Sequence, residues 1–195
     1  MHLDIVGGLP AREGHFRLES GYHTDLWLTL DALFVSPRET APLVSALAAR
    51  IRPYNVSAVC GCLLGGAFLA QALAMELGVE FYFSEPVTPN GVPKMFAAEY
   101  RLPGVLQQRV RRQRVALVDD VISAGSSVRA TATALTAAGA TIAVVGALYV
   151  LGRIGLDHFA ERSIPVESLG QREFTLWDPS NCPLCATAMP LEDPR

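Results

Sequence analysis

The residues with most to offer chemically stand together between Arg114 and Arg129. The apolar run Val115-Ala116-Leu117-Val118 ends in two adjacent acids, Asp119 and Asp120, and the chain then turns through Val121-Ile122-Ser123-Ala124-Gly125 into Ser126-Ser127-Val128-Arg129. Such a run reads as a buried strand. Carboxylates at its tip can accept hydrogen bonds from a vicinal diol, directly or with a metal ion between. A turn of small and hydroxyl residues that opens a helix aims several backbone N–H groups and the positive helix end at one spot, which suits a phosphate dianion. Ser123, Ser126 and Ser127 add hydroxyl donors. Helix capping would explain one serine, but not two acids between an apolar strand and a Gly-containing loop. The loop has no lysine, which separates it from the Walker type.

A second Gly-rich turn, Cys60-Gly61-Cys62-Leu63-Leu64-Gly65-Gly66-Ala67, also links an apolar run to a helix. Its glycines allow close packing or a positive φ. The four cysteines form two short pairs, Cys60/Cys62 and Cys182/Cys185, which in a reducing compartment are expected as free thiols. Cys182-Pro-Leu-Cys185 has the spacing of a zinc knuckle, yet a structural zinc needs four ligands. Cys60 and Cys62 would complete it only if the C-terminal tail reached the second Gly-rich turn. His15 and His23 read as packed or surface residues rather than acid-base catalysts.

Three stretches must position these groups as helices: Arg38–Arg52 with Leu43, Val44, Leu47, Ala48 and Ile51 on one face, Ala67–Leu77 stopped by Gly78, and Ser126–Ala138 closed by Gly139. Between them, Val56–Cys60, Val79–Phe83, Val115–Val118 and Ile142–Leu151 are continuous apolar runs of the kind buried on both faces of a parallel sheet. The alternation predicts an α/β domain with a doubly wound, mostly parallel sheet flanked by helices and ligands at the carboxyl ends of its strands. At 195 residues a single domain is expected: a hood over 1–35, a core over 36–163 and a C-terminal tail over 164–195. The long connection 85–113, rich in Pro and Gly, reads as a functional lid. The net charge of −3 shows no basic excess for nucleic acid, and no apolar run approaches membrane-spanning length. With no basic leader segment at Met1-His2-Leu3-Asp4-Ile5, a cytoplasmic location is expected.

The segment Val115–Ser127 resembles the motif by which type I phosphoribosyltransferases bind 5-phosphoribosyl-1-pyrophosphate (PRPP): apolar residues, two acids, then a Ser/Thr–Ala/Gly–Gly–Ser/Thr loop. The resemblance implies that fold with a small N-terminal hood, and places Asp119 and Asp120 against the ribose 2- and 3-hydroxyls, in indirect contact with Mg²⁺. It implies Ser123, Ala124, Gly125, Ser126 and Ser127 around the 5-phosphate, and Gly61, Cys62 and Leu63 at the pyrophosphate. Lys94, as a catalytic residue, and Arg101 are the lid cations left to balance the pyrophosphate charge. Gly14–Asp25 is similar to the opening of orotate phosphoribosyltransferases, where Phe-x-Leu-x-Ser-Gly, here Phe16 to Gly21, folds over the base. Phe16, Ser20 and Gly21 would then touch the base. Gly152-Arg153 falls where that family places an arginine that reads the orotate carboxylate, a planar anion that suits a guanidinium fork.

The resemblance spans about residues 10–170. It implies transfer of ribose 5-phosphate from PRPP to orotate, giving orotidine 5′-monophosphate in pyrimidine biosynthesis, by a homodimer whose lids approach each other's sites. Glu19 stands where the family commonly has lysine, and the segment Ser84–Lys94 holds a single lysine, with Pro86 after Glu85 where another branch has arginine. Two alternatives therefore stay open: a sister transferase for another purine or pyrimidine base, and a PRPP- or nucleotide-sensing protein with little catalysis.

Overall fold

The computed structural model describes residues 11–28, 30–87 and 95–194. Strands β1 (Ala11–Arg17) and β2 (His23–Leu28) form an antiparallel hairpin; β3 (Ala58–Cys62), β4 (Glu80–Val87), β5 (Glu99–Arg101), β6 (Arg114–Ile122), β7 (Thr141–Leu151) and β8 (Val166–Arg172) form a second sheet. Its order is β5-β4-β3-β6-β7-β8, parallel except for the β4–β5 pair at one edge. Helices α1 (Pro37–Ile51) and α2 (Gly65–Leu77) cover one face, where Leu47, Ile51, Leu69 and Leu73 meet Val59, Ala116 and Val118. Helices α4 (Ser126–Ala137) and α5 (Ile154–Ala160) cover the other, where Val128, Leu135 and Phe159 meet Ala58, Cys60, Val115 and Leu117. Alternate residues of β6 thus enter opposite cores, which is why that strand is apolar without interruption; each fully buried leucine here contributes about 1.5–3 kcal/mol. The doubly wound architecture is the expected one.

The expected helices and strands all form, with shifted ends. β3 runs two residues further than expected, so Cys60-Gly61-Cys62 belongs to the strand and the turn into α2 shortens to Leu63-Leu64. A Cβ at Gly61 would lie 2.0 Å from Gly66 O, so this glycine lets β3 and the start of α2 touch backbone to backbone. The region expected as a lid carries more structure: β4 reaches Val87, β5 returns against it in the register Glu85↔Arg101, and α3 (Gly104–Arg109) follows. Lys94 lies outside the described residues.

The tail boundary at 164 changes. β8 pairs with β7 along its length and is a strand of the main sheet. As an edge strand with few buried residues it lacks the continuous apolar signature of its neighbours. Beyond it the chain crosses to the β1–β2 hairpin as a strap: Trp177 exchanges both backbone hydrogen bonds with His23, Glu192 N donates to His15 O at 2.8 Å, and Arg17 N donates to Glu192 O at 2.9 Å. Arg17 pairs with Asp193 at 2.7 Å and Arg12 with Glu192 at 2.9 Å. The hood is therefore built from both ends of the described chain. A short helix, α6 (Pro183–Ala186), interrupts the strap.

Candidate active site

The carboxyl ends of β3 and β6, the start of α4 and the hood enclose a cavity of about 350 Å³. Asp119, Asp120, Ser123, Ala124, Gly125, Ser126 and Ser127 line it from β6 and α4; Cys62, Leu63 and Gly65 line it from the turn into α2. Leu18, Glu19, Ser20 and Trp27 close it from the hairpin. The two motifs, far apart in the sequence, thus share one chamber at a crevice between parallel strands, where open α/β sheets bind ligands.

Asp119 is buried, and its carboxylate accepts a 2.6 Å hydrogen bond from Ser127 Oγ and a 3.2 Å bond from Asp120 N. Burial, and then the charge of Asp120, hold its pKa well above the ordinary carboxylate value. Asp120 is half-exposed, and its Oδ1 accepts from Val121 N at 2.9 Å. The glycine pair at the start of α2 makes room for both acids: a Cβ at Gly65 would lie 2.5 Å from Asp120 Oδ2, and one at Gly66 2.5 Å from Asp119 Oδ1. Gly65 and Gly66 are needed for the acids.

Helix α4 begins at Gly125, whose φ of 80° carries the chain into the helix, and no side chain caps it. Its first amides are left without intrahelical partners and face a ligand-sized space. Ser126 Oγ is buried and makes no hydrogen bond among the described residues, a donor held in reserve beside those amides. An anion with several oxygens satisfies that set.

The remaining sequence-predicted residues lie elsewhere. Phe16 is fully buried against Trp27, with ring centroids 6.2 Å apart, and supports the hood from beneath. Gly21, at φ 87°, turns β1 into β2 beside Ser20, which does line the cavity. Gly61 sits under the turn as a packing glycine. Arg101, exposed on β5, lies 3.6 Å from Glu85. Arg153 is exposed and pairs with Asp157 at 3.0 Å, two residues beyond Leu151 of the cavity wall.

Tyr100 and Phe174 join the wall without a role assigned from the sequence. Tyr100 of β5 donates from its hydroxyl to Glu19 Oε1 at 3.1 Å, tying the β4–β5 hairpin to the hood, and burial followed by the charge of Glu19 pushes its pKa up. Phe174 reaches the cavity from the strap. An aromatic in a lid or tail of mixed composition was the signal available for both. Cys62 shares a buried network with Thr131 Oγ1 at 3.3 Å, and burial raises the thiols of Cys60, to about 12, and Cys62. Neither meets Cys182 or Cys185, so the condition under which Cys60 and Cys62 would complete a zinc site is not met.

The fold and this chamber define a type I phosphoribosyltransferase. Among solved structures, a phosphoribosyltransferase from Corynebacterium diphtheriae superposes with a TM-score of 0.66 over 86% of this chain and 92% of that one, at 18% identity. The APRTase from Giardia lamblia, solved in complex with 9-deazaadenine, does so at 0.64 over 75% and 87%, at 16% identity. No family model matches the chain. The orotate phosphoribosyltransferase of Thermotoga maritima is 32% identical over 192 residues, 98% of this chain and 94% of its own. That of Pelotomaculum thermopropionicum is 31% identical over 181 residues, 93% and 88%. The chain belongs to the orotate phosphoribosyltransferase family.

Proposed function

We propose that the chain transfers ribose 5-phosphate from PRPP to orotate with release of pyrophosphate, giving orotidine 5′-monophosphate for pyrimidine biosynthesis. The observation that carries this reading is the Asp119–Asp120 pair set beside the uncapped start of α4 in a single cavity. The amides and hydroxyls of Ser123–Ser127 bind the 5-phosphate, and the two carboxylates accept from the ribose 2- and 3-hydroxyls, which fixes C1 toward the hood. A ring nitrogen of the base then bonds to C1 as the C1–O bond to pyrophosphate breaks, through an oxocarbenium-like transition state. Such chemistry asks of the protein mainly position and charge. The hood side chains Leu18, Leu26 and Trp27 exclude water that would otherwise hydrolyse the donor.

The described residues lining the cavity include the carboxylates Asp119, Asp120 and Glu19 and no Lys or Arg. Hard oxygen donors at the strand tip fit Mg²⁺, which Asp119 and Asp120 would hold. When bound, Mg²⁺ supplies positive charge to the departing pyrophosphate. Cys62 and Leu63 wall the pyrophosphate end of the cavity, and Lys94 and Arg101 add charge there. A homodimer is supported by the exposed apolar Phe68 and Met75 on the outer side of α2. A cytoplasmic location suits the four unpaired thiols.

A second reading, a base without a carboxylate, is favoured by Glu19 on the cavity wall, where an anionic base meets like charge. A pyrophosphate-release assay with PRPP and Mg²⁺ across orotate, uracil, adenine, guanine and hypoxanthine separates the readings. Turnover with orotate alone is expected. Turnover with another base instead replaces orotate, and PRPP binding without release from any base leaves a sensor.

A further inference from the structure

The geometry points to a structural zinc ion held by His15, His23, Cys182 and Cys185, clipping the C-terminal strap to the N-terminal hairpin. The four ligand atoms lie within 4.8 Å of one another, outside the cavity that holds the acids. His15 Nε2 is 3.0 Å from His23 Nδ1, 3.5 Å from Cys182 Sγ and 3.7 Å from Cys185 Sγ; Cys185 Sγ is 3.3 Å from His23 Nδ1. A tetrahedral zinc with Zn–N of about 2.05 Å and Zn–S of about 2.3 Å has N···N edges of about 3.3 Å and N···S edges of about 3.6 Å. These four separations depart from those edges by a few tenths of an ångström, and the remaining two pairs, which lie within 4.8 Å, close by up to about 1 Å when the ion is seated.

The surroundings fit a metal in three further respects. His15 Nδ1 lies 2.9 Å from Met189 O, and donation to that carbonyl puts the ring's lone pair on Nε2, the atom that faces the cluster. An imidazole that ligates a metal usually has its other nitrogen anchored in this way. His15, His23 and Cys182 are all buried, and Cys185 alone is exposed, which leaves one route for the ion to enter. Two thiolates and two neutral imidazoles balance the charge of Zn²⁺, so the filled site buries no net charge; binding sends the two thiol protons to solvent. A single His23–His15 hydrogen bond accounts for the histidine pair in the absence of metal, but it does not bring two sulfurs to the same point.

The ligands come in pairs, one pair from the β1–β2 hairpin and one from either end of the first turn of α6. The site therefore does for the hood what a disulfide would do in an oxidising compartment. It holds the strap, and with it Phe174, against the hairpin that carries Leu18, Glu19 and Trp27 to the cavity. The role is structural, since no ligand of the ion lines the cavity.

The test is the metal content of the full chain, purified without chelator from zinc-supplemented cells. About one zinc per chain is expected, falling below about a tenth in Cys182→Ser/Cys185→Ser. Replacement by Co²⁺ should give the strong visible d–d bands and the near-ultraviolet thiolate charge-transfer band of a tetrahedral S₂N₂ site. Chelation should lower the melting temperature, with recovery on adding Zn²⁺ but not Mg²⁺. If the double variant fails to fold, the cobalt spectrum of the wild-type chain decides. Wild-type protein that takes up neither zinc nor cobalt, that holds iron, or that binds zinc equally well without the two cysteines overturns the assignment. None of these readings depends on which base is the substrate.

Discussion

Replacing Asp119 by Asn separates what this carboxylate does for the ligand from what it does for the fold. In the unliganded chain the carboxylate accepts from Ser127 Oγ at 2.6 Å and from Asp120 N at 3.2 Å. Asparagine can keep one of these through Oδ1, and the loss of the other costs about 1 kcal/mol. Removal of a buried charge beside Asp120 offsets that loss, so stability near neutral pH should change by no more than about 1 kcal/mol. The ribose hydroxyl, by contrast, loses a charge-assisted hydrogen bond of about 1.5–3 kcal/mol, or about 10- to 160-fold in kcat/KM for PRPP. With Asp120→Asn added, the loss should reach about 160- to 25,000-fold.

The same residue carries a pH signature with a definite sign. Its folded pKa is raised, so between the ordinary value of 3.8 and that raised value the native state binds more protons than the unfolded chain. The stability it contributes is present below 3.8 and is lost as pH rises through the folded pKa. Thermal melting without ligand should therefore fall with rising pH over that window in the wild-type chain, and more shallowly in Asp119→Asn. Pyrophosphate release and melting curves on the same preparations decide. A loss of less than about fivefold in kcat/KM, or unfolding of the variant at neutral pH, would refute the reasoning.

Three other substitutions probe the rest of the chamber. Gly66→Ala puts a methyl 2.5 Å from Asp119 Oδ1 and 2.9 Å from Val118 O. Such overpacking costs about 1–3 kcal/mol, a melting drop of about 2–12 °C, with loss of PRPP turnover; a variant that melts and turns over normally disproves the close approach. Ser126→Ala removes a hydroxyl with no partner among the described residues, so melting should hold while KM for PRPP rises about tenfold. An unchanged KM removes that serine from the phosphate cradle. Arg153→Ala breaks only an exposed pair with Asp157, so melting should not move. KM for orotate should rise about tenfold with KM for PRPP unaltered, and equal KM values return Arg153 to the surface.

How far the chain could be read in advance follows from how each part is buried. β6 and its two acids were legible because a strand covered on both faces must be apolar throughout, so polar groups after it stand out. α2 was legible from Leu69, Leu73 and Leu77, but its start was not: Gly65 and Gly66 look like a loop until the acids they clear are seen across the gap. β8 hid because an edge strand with one neighbour tolerates Glu167, Gln171 and Arg172. Tyr100 and Phe174 escaped because no periodicity marks a residue that reaches a cavity from a hairpin or a strap. The histidine–cysteine cluster shows the limit: Cys182 and Cys185 carry a local spacing, but His15 lies 167 residues from Cys182, and register between hairpin and strap is what joins them.

The strap also bears on the order in which the molecule can assemble. Residues of β1 and β2 emerge early in synthesis, yet the partners of His23 and Arg17, at Trp177 and Glu192, are made more than 150 positions later. Closing so distant a pairing is entropically costly and slow, so the hairpin waits while the central sheet forms from nearer neighbours. A nascent or truncated chain would then hold a folded sugar-phosphate cradle under an open roof, able to grip its donor before it can shield it.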